Sequence, residues 1–261
     1  MAGRARRSVA VAAEPRESEN TLRVKAWMVH QILCEEYRCP IRYFHDMDPV
    51  SELVSSLLSH RTRNADSGRA FKALRARYPT WDAVRDAPTA DVEQTIAAVT
   101  WPEQKAPRIQ HVLREITRLR GDLSLDFLAD LSVPEARRWL EALPGVGPKT
   151  SAATLLFSRL RMPALPVDSH HHRVAQRLGL IPESLGVGPS HAVLEAQLPT
   201  GLTAQQIYDN HEVLMLHGQQ CCYYRGPACR RCVVYALCPT GQRLHPEVAA
   251  TLDPVQRPRS A

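Results

Sequence analysis

Lys149, Asp168 and a run of C-terminal cysteines are the residues whose types and settings best fit chemistry. Cys222, Cys229, Cys232 and Cys238 follow the spacing C-x6-C-x2-C-x5-C. Four thiolates in so short a loop can surround one inorganic centre, and a cubane iron–sulfur cluster takes its four ligands this way. Structural zinc also takes four, usually as two CxxC-like pairs from separate turns. One such pair, Cys229 with Cys232, occurs here, so a 4Fe-4S cluster is the expected cofactor. Disulfides fit less well, because the cysteines total seven and the start of the chain carries no apolar leader. Cys221, beside the first ligand, leaves the register of the set ambiguous. Cys34 and Cys39, remote in sequence, are expected to be packing residues.

The lysine lies in Leu143-Pro144-Gly145-Val146-Gly147-Pro148-Lys149-Thr150. Glycine followed by proline marks the start of a helix near Pro148. Two glycines allow a tight turn, and the free N–H groups of that turn and the next helix's first turn can hold a phosphate. An ammonium in the first turn of a helix is disfavoured, which lowers its pKa. The free amine so favoured is the nucleophile of Schiff-base chemistry, and phosphate contact is the plainer alternative for Lys149. Asp168 precedes a helix expected to run to about Leu178. Capping is its ordinary role, and proton transfer or stabilisation of a cationic sugar its functional one. His170, His171 and His172 follow, but successive helical residues point about 100° apart and cannot converge on one ion. They are expected to line a cleft or enter the core.

These groups need a scaffold, and the pattern along the chain is helical. Apolar residues recur at three and four, as in Ile109, Val112, Leu113, Ile116 and Leu119, while alternating stretches are absent. Prolines and glycines divide the run, so an all-α protein of about ten or more short helices is expected. The chain has 261 residues, a net charge of +6 and 44% hydrophobic content. That composition is globular, no run is long enough to cross a bilayer, and the charge favours a polyanionic partner. Basic residues cluster at 61–85 and 105–120, and Arg225, Arg230 and Arg231 meet no acid inside the cysteine loop. Residues 1–18 read as a disordered basic tail and 241–261 as a second loose tail. A cytoplasmic monomer is expected, nucleoid-associated if bacterial.

Taken together these residues resemble the endonuclease III family of helix-hairpin-helix DNA glycosylases, over about residues 22–240. The likeness rests on LLSHRTRN (57–64), QKAPRI (104–109), LPGVGPKT (143–150), VDSHHHRV (167–174), LHG (216–218) and the cysteine loop. The resemblance implies a six-helix barrel with the hairpin at 48–162, a cluster domain from 19–47 and 163–240, and a DNA-binding cleft between them. It implies base-excision repair of oxidised pyrimidines in duplex DNA, with Lys149 attacking C1′ and cutting the strand by β-elimination as an AP lyase. Asp168 would assist base departure. Adenine-mismatch relatives lack this lysine, and 8-oxoguanine relatives lack the cluster. Gly145, Val146, Gly147, Thr150, His170 and the three loop arginines would touch DNA. Two departures bear on substrate range. Arg61 stands where the family places a glutamine in the gap left by the flipped base, and its planar fork can pair with an orphaned guanine. Trp101 stands at the leucine-type wedge, where it would stack, unless it is buried between helices.

Overall fold

The computed structural model describes residues 18–249, so expectations for residues 1–17 and 250–261 lie outside the described residues. Thirteen α-helices and three short 3-10 turns follow one another, with no strand among the described residues. In order they are α1 (Glu19–Tyr37), α2 (Pro49–Ser59), α3 (Asn64–Arg77), α4 (Trp81–Asp86), α5 (Thr89–Thr95) and α6 (Pro102–Arg120). Then come α7 (Val133–Glu141), α8 (Pro148–Phe157), α9 (Ser169–Arg177), α10 (Val187–Gln197), α11 (Ala204–Gln220), α12 (Pro239–Leu244) and α13 (Pro246–Ala249). No helix among the described residues is long and apolar enough to cross a membrane.

Local signals set the helix starts near the site. Asp48 caps α2, accepting from the Ser51 N–H at 2.9 Å, and Pro49 takes the first helical position. Ser132 and Glu135 form a capping box at the head of α7. Gly147 caps α8, and Asp168 caps α9 through the His171 N–H at 2.7 Å.

Buried apolar side chains fall into two clusters. One joins α2–α7 with the first half of the chain's centre, centred on Leu53, Leu58, Leu74, Ile109, Leu113 and Leu140. The other joins α1, α9, α10 and α11, centred on Leu33, Val174, Leu194, Tyr208 and Val213. Helix α8 serves both: Ala152 and Leu155 enter the first cluster, while Ala153, Leu156 and Phe157 enter the second. Every residue from Thr150 to Phe157 is buried. From Thr150 on, α8 turns no face to solvent and is a wall shared by the two apolar clusters.

Three expectations are corrected. Cys34 and Cys39 do not merely pack; they form a disulfide. Helix α1 ends at Tyr37, Arg38 takes a left-handed conformation, and the Cys39 N–H returns to the Cys34 carbonyl at 2.9 Å. That turn brings the two Cα atoms to 4.9 Å, a distance a disulfide spans. The segment from 241 is not loose up to residue 249. It completes α12 and adds α13, with Val248 buried and the Tyr235 hydroxyl donating to the His245 carbonyl at 2.7 Å. Arg230 does meet an acid, Glu247 of α13, at 2.8 Å.

Because α8 is packed on both sides, its apolar residues carry the stability of both clusters. Leu156→Ala should cost about 2–5 kcal/mol and lower the urea midpoint; a midpoint equal to the parent's would show that α8 is not a shared wall.

Candidate active site and cysteine centre

Helix α7, its turn and α8 form the helix–hairpin–helix. Val146 is buried and donates its N–H to the Leu143 carbonyl at 3.1 Å. Gly145 has φ +79°, and a Cβ there would meet the Arg108 side chain at 2.7 Å, so both conformation and space demand glycine. The Ser151 hydroxyl donates to Glu141 at 2.6 Å and ties the two helices together. Thr150 is buried, its carbonyl accepting from Thr154.

Lys149 is half-buried in the first turn of α8. Burial pulls its pKa down, and the carboxylates of Glu52 and then Asp168 oppose that fall. The amine and Asp168 thus share one neighbourhood, with Glu52 as a second carboxylate. Burial alone would raise Asp168, but the hydrogen bond it accepts from the His171 N–H at 2.7 Å favours the carboxylate and helps hold its pKa below the usual range. His171 and His211 are pushed down by burial to about 3 and about 4, so both are neutral at physiological pH. Glu212, buried on α11, is pushed up to about 7 by burial and by Asp168 and Asp209. The three histidines part as the helical geometry requires. His171 enters the core, the His172 ring bonds the Leu185 carbonyl at 2.8 Å, and the His170 ring bonds Arg173 at 3.1 Å.

Arg61 and Trp101 come together at the opposite end of α2. The Arg61 guanidinium lies 5.8 Å from the Trp101 ring, and both residues have positive φ, +50° and +55°. Trp101 is 43% exposed, so burial between helices is not its role. The residue that holds the pair together is Lys105, which sequence reading treated only as part of a motif. Its ammonium is buried and donates to the Leu58 carbonyl at 2.7 Å, the His60 carbonyl at 2.8 Å and the Thr62 hydroxyl at 2.8 Å. The Thr62 hydroxyl in turn accepts from the Thr100 N–H at 3.1 Å. One cation therefore pins the turn carrying Arg61 to the start of α6, which carries Trp101. Burial and Arg108 lower its pKa to about 8. The only sequence signal for this was a lysine three residues inside a proline-started helix, which does not distinguish it from surface lysines.

The cysteine loop wraps one small, mainly apolar cavity lined by Cys222, Cys229, Cys232 and Cys238, with Val174, Leu178 and Val234 among the walls. Arg177 aims an N–H at the Cys222 sulfur (3.2 Å) and the Gly241 N–H points at the Cys238 sulfur (3.3 Å). Donors aimed at sulfur favour thiolates at Cys222 and Cys238, and with Cys229 and Cys232 lining the same cavity the four residues fit a four-thiolate centre. Cys221 is buried beside them, and its sulfur, that of Cys232 and the His217 ring lie within 4.8 Å of one another. Arg231 donates to the Gln220 carbonyl and the Tyr223 hydroxyl, while Arg225 is exposed.

Lys105→Met keeps the aliphatic stem and strands the Leu58 carbonyl at about 1–3 kcal/mol, while the His60 carbonyl keeps only the Thr62 hydroxyl at 3.3 Å. The thermal midpoint should fall and the Trp101 fluorescence should shift toward that of free solvent. Raising the pH through about 8 should firm the same turn in the parent, because burial disfavours the ammonium and the fold gains once the amine is neutral. Unchanged Trp101 emission in both cases would remove Lys105 from this role.

A family model described as HhH-GPD superfamily base excision DNA repair protein matches residues 54–199. A protein of Arabidopsis thaliana, provisionally named a DNA glycosylase, is 34% identical over 169 residues. That match takes in 65% of this chain but only 56% of the plant protein's length. Endonuclease III of Escherichia coli K12 is 30% identical over 190 residues, 73% of this chain and 83% of that protein. Among solved structures, a non-covalent endonuclease III–DNA complex superposes with a TM-score of 0.72 at 22% identity, covering 86% of this chain and 98% of its own. With the hairpin already described, the chain belongs to the endonuclease III family of the HhH-GPD superfamily.

Proposed function

We propose that this chain is a base-excision repair glycosylase that releases oxidised pyrimidines from duplex DNA and cuts the strand at the resulting site. The observation that carries this reading is an amine in a helix's first turn, its pKa lowered by burial, within electrostatic reach of a carboxylate.

A target nucleotide must leave the stack to reach such an amine, and a damaged pair opens at the lower cost of a few kcal/mol. Lys149 Nζ then attacks C1′, the glycosidic bond breaks, and the base departs with the bonding electrons and a proton. Loss of the remaining amine protons and opening of the sugar give an imine to Lys149. Removal of a C2′ proton expels the 3′ phosphate. Asp168, kept ionised, stabilises the cationic sugar as the base leaves. Turn N–H groups at Gly145, Gly147 and Thr150 would hold phosphate, while the Val146 N–H closes the turn on the Leu143 carbonyl. Arg61 and Trp101 would fill the gap in the duplex, the arginine facing the orphaned base. His170 and Arg225 would extend the contact; Arg230 would do so less, being paired with Glu247.

Cys222, Cys229, Cys232 and Cys238 would hold a 4Fe-4S cluster. Bound there, it supplies the cross-linking that a short loop lacking its own core needs.

Borohydride trapping on abasic duplex should give a covalent adduct that disappears in Lys149→Ala; an undiminished adduct in that variant would exclude Lys149 as the nucleophile. Asp168→Asn keeps a good helix cap, so the fold and DNA affinity should persist. Base release should drop by about 100-fold or more, and retention of full activity would remove Asp168 from the reaction. The purified protein should be brown and lose its colour together with about four irons on chelation. Colourless protein carrying one zinc would point instead to the His217, Cys221 and Cys232 group.

A further inference from the structure

Leu216-His217-Gly218 takes no part in the proposed strand chemistry. Its histidine lies in the last turn of α11 and is 2% exposed, so the ring must find partners inside the fold. Both ring nitrogens have one. Nδ1 lies 3.3 Å from the Tyr37 hydroxyl at the end of α1, and Nε2 lies 3.5 Å from the Cys232 sulfur. The backbone of the same residue holds the start of the cysteine loop. Its carbonyl accepts the Cys221 N–H at 3.0 Å and the Cys222 N–H at 2.7 Å. His217 therefore touches the first and third cysteines of the candidate centre from a helix outside the loop.

The two partners select the tautomer. A neutral imidazole has one N–H and one lone pair. With the proton on Nδ1, the Nε2 lone pair would face a thiolate, two acceptors with no hydrogen between them. With the proton on Nε2, the ring donates to sulfur and Nδ1 accepts from the tyrosine hydroxyl, so both contacts are satisfied. Tyr37 is braced for this, because it lies in the turn that the Cys34–Cys39 disulfide closes.

Three of the four candidate thiolates receive a donor, each of a different kind. Cys222 has the Arg177 guanidinium, Cys238 the Gly241 N–H, and Cys232 this imidazole. Arg177 also holds two loop carbonyls, and the Gly241 donor is backbone. Among these described contacts, the imidazole is the side chain whose polar reach into the loop ends at a sulfur.

We propose that His217, its ring set by Tyr37, is the hydrogen-bond donor that positions the Cys232 thiolate. Through that sulfur it governs how firmly the loop keeps its cluster and at what potential the cluster is reduced. This rests on the four-cysteine reading of the site. A hydrogen bond on a ligand sulfur withdraws charge from it, which favours the reduced, more negative cluster. It also fixes the direction of the sulfur, as the outer partners of metal ligands do. His217 is a positioning residue, acting through a ligand and binding no metal itself. Cys221 marks the competing arrangement, since its sulfur, that of Cys232 and the His217 ring lie within 4.8 Å of one another, close enough for one ion to take all three as ligands. The Cys221 sulfur has its own partner, the Ala228 carbonyl at 3.7 Å, which favours the donor role for the ring.

The test uses the full-length protein as isolated, with two readouts. One is the rate of iron release to a chelator without oxygen, the other the reduction potential by film voltammetry. His217→Phe keeps an aromatic ring and loses the donor. Iron release should quicken by about 10-fold, and the potential should become more negative. His217→Gln places an amide N–H near the position of Nε2 and should return both values toward the parent's. Tyr37→Phe frees the tautomer and should move both in the same direction as His217→Phe, by less. Parental release and potential in His217→Phe would overturn the proposal. So would His217→Gln matching His217→Phe, since the ring would then act by packing alone. Parent protein holding one zinc that His217→Phe loses would make the histidine a ligand, against the proposal. Parent protein without iron sinks the cluster reading and this inference together, whereas an iron-loaded parent with unchanged variants sinks this inference alone. Should His217→Phe fail to fold, Tyr37→Phe, at a half-buried position, decides.

Discussion

An amine stays uncharged near neutral pH only if its surroundings disfavour the ammonium, and one short helix contributes to that at Lys149. Helix α8 gives side chains to both apolar clusters and shows no face to solvent from Thr150 to Phe157. Its first turn, and Lys149 within it, is consequently fixed between two bodies. Burial then lowers the lysine pKa, and the positive end of the helix acts in the same direction. Had α8 been an ordinary amphipathic helix, its polar face would have returned the ammonium to bulk water.

A lowered lysine pKa is useful only if the acids around it differ from one another. They do. Asp168 accepts the His171 N–H and stays ionised, whereas Glu212, with no such donor and two aspartates nearby, is pushed up to about 7. Glu52, on α2, lies 3.0 Å from the His45 ring nitrogen. The imidazoles of His171 and His211 add no positive charge, because burial keeps them neutral. Environments that separate like groups in this way assign them different roles in acid–base chemistry.

What could be read from the sequence is what depends on neighbours along the chain. The cysteine spacing, the glycines of the hairpin, the Asp168 cap and the helical periodicity are all local, and each reappears in the structure where the residues placed it. Glu52, His45 and Lys105 could not be found that way. A glutamate inside a helix and a lysine in a basic run look like surface residues until the fold buries them. The Cys34–Cys39 disulfide depended on a left-handed residue at Arg38, which nothing in its type announces. The stretch after Pro239 lacks periodicity, so its helices rest on packing against the cysteine loop. Trp101 was open between wedge and core, and a lysine 4 residues away settled its setting through bonds to a different helix end.

The cysteine loop sits far along the chain from Lys149, yet it bears on the other half of the reaction through α9. Asp168 caps the first turn of that helix, and Arg173 and Arg177 leave its later turns toward the loop. Arg173 donates to the Gly218 carbonyl at 2.8 Å and to the Cys222 carbonyl at 3.2 Å. Arg177 reaches the Cys222 sulfur and the Tyr223 and Tyr224 carbonyls, at 2.6 and 3.0 Å for the last two. Its own carbonyl lies 3.2 Å from the Cys238 sulfur. The helix that aims the carboxylate is thus bolted at its far end to the loop the thiolates close. Opening that loop would free two half-buried arginine anchors and let α9 shift along α11, where Gly218 leaves no room between it and His170. The cysteine loop therefore bears on where the Asp168 carboxylate points, through the arginines of α9.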